Sequence, residues 1–187
     1  MEKDLVAVHQ TAMQSFNRVQ GAIRDVRMQC LADRRFYSEA GAQWEGAYGD
    51  QFQNKPRLEF NKIHLAVIRI INEYRNNRFT TSFSPADDKG SDKLIDIVSG
   101  MFRADEQDSD AQACYDNAFE EAVGGGFGAW RLRTEYEDEE DDEDDRQRIR
   151  IEPIFDADSS VFFDLNAKRQ DKLDAKRAWV LTSITYD

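Results

Sequence analysis

Apolar residues in the first part of the chain recur at steps of three and four. Leu5, Val8, Ala12, Phe16, Val19, Ile23, Val26 and Cys30 form one narrow stripe. That spacing predicts a single helix over residues 4–35, roughly 48 Å long at 1.5 Å per residue. A long helix with a narrow apolar stripe usually lies along something larger, often a neighbouring subunit. Phe16, Val19 and Ile23 are therefore candidate subunit contacts.

Residues 36–60 break the pattern with glycines and Pro56, and Trp44, Tyr48 and Phe52 are its apolar anchors. A second helix is predicted over 61–76. Asn61 is its N-cap, and Ile63, Val67, Ile70, Ile71 and Tyr74 form one face. FTTSF at 79–83 reads as a short strand and SPADDKGS as a loop. Ser91 caps a third helix with Leu94, Ile95, Val98, Met101 and Phe102 on one side. A fourth, 109–123, carries Ala111, Cys114, Ala118, Phe119 and Ala122.

Beyond residue 123 the period drops to two. In 129–136, Trp130, Leu132 and Thr134 face one way and Arg131, Arg133 and Glu135 the other. In 148–155, Ile149, Ile151 and Pro153 oppose Arg148, Arg150 and Glu152. SVFFDL and AWVLTSITY are two further strands. The predicted class is α+β, with long amphipathic helices over 1–123 followed by an antiparallel hairpin or meander over 124–187.

Charge changes this picture at one place. Ten of the eleven residues from Glu135 to Asp145 are acidic, Tyr136 being the exception, and they account for all but −2 of the formal net charge of −12. A protein that mimics DNA over its whole surface would spread its acids more widely. The run joins the two strands, so it is predicted to be a solvated hairpin connection. Glu137, Asp138, Glu139, Glu140, Asp141, Asp142 and Glu143 make up a candidate acidic interaction loop.

Candidate chemistry is sparse. GGGFG (124–128) has the order helix, glycines, strand. A phosphate-binding loop needs the reverse, with a helix N-terminus at the anion, so a helix C-cap and sharp turn is the better reading. DLNAKRQDKLDA (164–175) has Lys168 where a calcium loop needs an oxygen and Ala175 in place of its bidentate Glu. That makes it a polar turn. His9 and His64 have no histidine partner at helical spacing, and Cys30 and Cys114 lie in helical patterns as expected buried free thiols. No catalytic motif, metal-ligand spacing, cofactor fingerprint or membrane-spanning apolar run emerges. On residues alone the chain is an interaction domain suited to assembly.

Three blocks carry a resemblance. GGGFGAWRLRTEYED (124–138), IRIEPI (149–154) and FFDLNAKRQDKLDAKRAWV (162–180) resemble, in order and spacing, the portal or head-to-tail connector proteins of short-tailed lambdoid-type double-stranded DNA phages. The matching positions are Gly126, Gly128, Ala129, Trp130, Arg131 and Leu132, then Arg150, Glu152, Pro153 and Ile154. The third block contributes Asp164, Asn166, Lys168, Lys172, Asp174 and Ala175. Members of that family run to many hundreds of residues, so the resemblance implies that residues 1–187 are one N-terminal wing-type region. The stem, clip and crown of that family would then lie outside residues 1–187.

The resemblance further implies a ring of about twelve copies at one capsid vertex, assembled in the host cytoplasm and retained in the virion. Double-stranded DNA would pass through without sequence-specific binding. Capsid and scaffolding proteins would be partners, and the packaging motor (terminase) and tail factors would dock on parts outside this chain. No enzymatic activity, cofactor or membrane contact is implied. An alternative, from the acidic run alone, is a module that binds a basic protein through residues 135–145.

Overall fold

A computed structural model describes residues 2–85, 91–137 and 145–185. Helix α1 runs Glu2–Ser38, longer at both ends than its apolar stripe. A 3-10 turn at Ala42–Trp44 and a short α2 at Ala47–Asp50 follow. Then come α3 (Lys62–Asn76), α4 (Asp92–Asp108) and α5 (Ala111–Gly125). Strands β1 (Ala129–Tyr136) and β2 (Gln147–Ile154) precede a single helical turn, α6 (Ala157–Ser160), and strands β3 (Val161–Phe163) and β4 (Ala178–Val180). The fold is α+β, as the patterning predicts.

The four strands form two separate two-stranded antiparallel sheets, β1–β2 and β3–β4, not one continuous meander. The chain likewise divides into two compact units. One comprises Met1–Asn61, Gly124–Phe127 and Asp156–Asp187; the other comprises Lys62–Val123 and Gly128–Phe155. Each unit thus combines helices with one of the strand pairs.

In the first unit the middle of α1 carries the core. Phe16 and Val19 are buried with Phe162 of β3, and Ile23 and Trp179 pack around them. The rest of the predicted stripe is less covered, with Leu5, Val8 and Val26 about two-thirds exposed. The aromatic anchors after α1 meet one another: Trp44 stacks on Tyr48 at 5.8 Å and meets Phe52 edge-on at 5.3 Å.

In the second unit Ala111 and Cys114 of α5 are buried against Ile151 of β2, with Tyr115 beside them. Val67 and Ile71 of α3 are buried, and Tyr74 stacks on Phe119 at 4.0 Å. Helix α4 departs from expectation. Ser91 stands at its N-cap, but the side chain makes no capping bond, and none of the helix's residues is buried. Leu94, Val98 and Met101 are exposed. The expected strand at 79–83 is absent: among the described residues this segment has no partner strand, Phe79 is 90% exposed, and Phe83 meets the ring of Phe102. Alternation without a partner for the backbone N–H and C=O groups does not make a strand.

Candidate functional site

The first block ends a helix and starts a strand. Gly126, just past α5, has φ +85, the left-handed conformation that closes a helix C-terminus and favours glycine. Gly128 is required for a different reason. A Cβ there would lie 1.8 Å from the carbonyl oxygen of Ala118. Backbone packs directly on backbone at that point, so no side chain fits. The helix C-cap reading of GGGFG holds.

The hairpin register follows the alternation read from the sequence. Trp130 pairs with Pro153, Leu132 with Ile151 and Thr134 with Ile149 on one face. Trp130 meets the ring of Tyr115 at 5.1 Å, so α5 covers this end of the face, whereas Leu132 and Ile149 further out are about half exposed or more. Burial is the main cause that pushes the Tyr115 hydroxyl up to about 12, with Glu106 adding to it.

The opposite face is a charge ladder. Arg131 pairs with Glu152, Arg133 with Arg150 and Glu135 with Arg148. The central like-charged rung is tolerated because each arginine reaches a carboxylate diagonally. Arg133 donates to Glu152 at 3.4 Å and Arg150 to Glu135 at 2.6 Å. Arg131 also donates to Glu152 at 2.8 Å, and Arg148 to Glu135 at 2.5 Å. Arg150 reaches further to the carbonyl of Asp108, in the last turn of α4. These hydrogen bonds, led by that of Arg150, hold the Glu135 carboxyl below its ordinary range. At the tip the Glu137 N–H donates to the Arg146 carbonyl at 3.0 Å and the Glu137 carboxylate pairs with Arg146. Of the candidate acidic loop, Glu137 is described. Asp138, Glu139, Glu140, Asp141, Asp142 and Glu143 lie outside the described residues.

The third block is the polar turn that joins β3 to β4. Asp164 Oδ1 accepts from the N–H and side-chain amide of Asn166, both at 3.3 Å. Asp174 accepts from the N–H of Lys168 at 2.7 Å and of Arg169 at 3.2 Å. The carboxylates thus fold the turn on itself. Among the described residues, no group of His, Cys, Asp and Glu is placed to hold a metal ion.

The candidate contacts on α1 have a definite placement. Phe16 and Val19 are 9% and 4% exposed and are covered by the chain's own β3 and β4. Ile23 packs at the edge of that cluster. One feature escaped the sequence reading. Arg27 donates to the Val161 carbonyl at 2.7 Å, its guanidinium 4.1 Å from the ring centre of Phe127. Arg34 pairs with Asp156 at 2.9 Å and with Asp158 at 3.6 Å. Asp158 is 2% exposed. Burial lowers the pKa of Arg27, while Cys30 and Asp158 oppose the shift. The available signal was the helical period: Arg27 and Arg34 continue the Ile23–Cys30 face, where arginines stand out among apolar residues.

These motifs coincide with a family match. A model described as phage P22-like portal protein matches residues 13–187. A portal protein of Acyrthosiphon pisum secondary endosymbiont phage 1 is 41% identical over 193 aligned positions, covering 100% of this chain and 27% of the relative's length.

The chain belongs to the P22-like portal family.

It spans about a quarter of the length of that portal relative. The glycine corner, the hairpin ladder and the polar turn are the structural forms of the three blocks that carried the resemblance. Each has a structural role in the folded chain, and the match covers the helical part as well, from residue 13 onwards.

Proposed function

We propose that this chain is the wing region of a phage portal subunit. About twelve copies of the full-length protein would form a ring at one capsid vertex, the conduit through which DNA is packaged, retained and later ejected. The observation that carries this reading is the 41% identity to a portal protein along the whole chain.

The composition supports it. Outside the acidic run the chain carries a net charge of only −2, and a near-neutral wall suits DNA that slides past, because a basic wall would hold phosphates through counterion release. The role is structural, in the virion, after assembly in the host cytoplasm. Capsid and scaffolding proteins, terminase and tail factors are the proposed partners, the last two through other parts of the protein. Native mass spectrometry of the full-length protein tests the reading. A closed ring of about a dozen copies is the expected result. A protein that stays monomeric under assembly conditions would overturn it.

A further inference from the structure

Among the described residues, the turn between β3 and β4 and the neighbouring face of α1 hold cations without carboxylate partners. The three carboxylates of the turn are engaged within it: Asp164 by Asn166, Asp174 by the N–H groups of Lys168 and Arg169, and Asp171 by the Arg169 guanidinium at 2.6 Å. Arg177 donates to the neutral hydroxyl of Ser15 at 3.0 Å. Among the described residues no carboxylate pairs with Arg18, Lys168, Lys176 or Arg177, and all four are exposed. Arg18 and Arg177 line one polar cleft of about 140 Å³ with Ser15, Asp164, Asn166 and Trp179. A cleft of this size can admit a carboxylate or phosphate group beside the two guanidinium groups, the lining Asp164 being already bonded to Asn166.

We propose that this basic patch docks the acidic run 135–145 of a second copy of the chain. The inference rests on the ring reading above and adds a contact to it. Charge complementarity is the main argument. Each copy carries ten acids in one segment, and −2 on all the rest. Glu135 and Glu137 are held by arginines of their own hairpin; copies held side by side repel through the other acids of those segments unless further cations offset them. Arg18 and Arg177 share the cleft, Lys168 and Lys176 lie on the β3–β4 turn that borders it, and among the described residues none of the four pairs with a carboxylate. Double-stranded DNA is a poorer occupant. Asp164, Asp171 and Asp174 lie among the cations and would face a rigid row of phosphates, whereas a peptide can place its carboxylates between them. The contact is heterologous, joining two different surfaces, as a cyclic ring requires.

The test is zero-length carbodiimide coupling of the full-length protein assembled from mixed isotopically heavy and light copies. Carbodiimide joins a lysine amine to a carboxylate in contact with it. Mixed-isotope products linking Lys168 or Lys176 to residues 135–145 are expected. Their yield should fall about tenfold in Arg18→Glu and with rising salt, because the contact is exposed and screened. Arg18 has no bonded partner among the described residues, and an unchanged circular dichroism spectrum verifies the fold of the variant.

Products of a single isotope would place the run on its own chain and overturn the proposal. So would the absence of any product with the run. Duplex DNA that suppresses the coupling, and whose own binding is lost in Lys168→Glu with Lys176→Glu, would assign the patch to DNA instead. Native mass spectra of the same samples separate the two readings. A ring without these products sinks the contact alone; a monomer without them sinks both.

Discussion

The ring of Phe16 meets the ring of Phe162 edge-on, with centroids 5.2 Å apart. One lies on α1 and the other on β3, and Trp179 of β4 completes the cluster at 6.2 Å from Phe16. The helix and the second strand pair therefore share a core. Phe16→Ala should cost about 3–5 kcal/mol in urea unfolding. Phe16→Asp should also reduce the β3–β4 signal in hydrogen exchange. Strand protection that survives Phe16→Asp would show that the helix is not what seats this sheet.

Arg34 faces the buried Asp158 at 3.6 Å. Replacing Arg34 by Met removes the cation paired with a buried carboxylate and leaves it only the field of Arg27, and the expected loss is up to about 3 kcal/mol. Adding Asp158→Asn in the same chain should recover much of that loss, because the uncompensated charge is gone. Chemical denaturation of the single and double variants checks this. Equal losses in both would contradict a charge-based cause.

The three glycine positions Gly128, Gly126 and Gly21 should rank differently on substitution by alanine. Gly128→Ala forces a Cβ to within 1.8 Å of a backbone oxygen and should cost about 1–3 kcal/mol or more. Gly126→Ala has open space but φ +85, and should cost about 1–2 kcal/mol. Gly21→Ala lies inside α1 with nothing within 4 Å, so it should stabilise by about 0.5–1 kcal/mol. Thermal melts of the three variants give the order directly.

Tyr115 is pushed up to about 12 from an ordinary value of 10.0. The folded state holds this proton more tightly than the unfolded chain does. Its contribution is fully present below pH 10 and is lost as pH rises towards 12. Ultraviolet titration of the six tyrosines should show Tyr115 ionising late, with Tyr74, which burial also pushes up, and Tyr115→Phe should remove the component near 12. Glu106→Gln should lower it only in part, because burial is the larger cause. A late component that persists in Tyr115→Phe belongs to another tyrosine.

Local pattern and tertiary context divide this protein between them. The helices over 61–76 and 109–123, the alternating faces of β1 and β2 and the glycine corner were legible because short-range rules decide them: helical and strand periods, turn chemistry and helix capping. The three motif blocks were legible as linear spacing. By contrast, FTTSF alternated but found no partner strand. The apolar residues of α4 predicted a buried face, and the described fold leaves that helix without one buried residue.

Which element covers which stripe depends on residues far apart in the chain, and periodicity carries no such information. The stripe of α1 identified Phe16 and Val19 as residues that need covering. Only the tertiary structure showed that β3, 146 residues away (Phe162 against Phe16), does the covering. The pairing of Arg34 with Asp158 was invisible for the same reason. A buried charge is stable only beside its counter-charge, and their meeting is decided by the packing of α1 on the segment that carries Asp158.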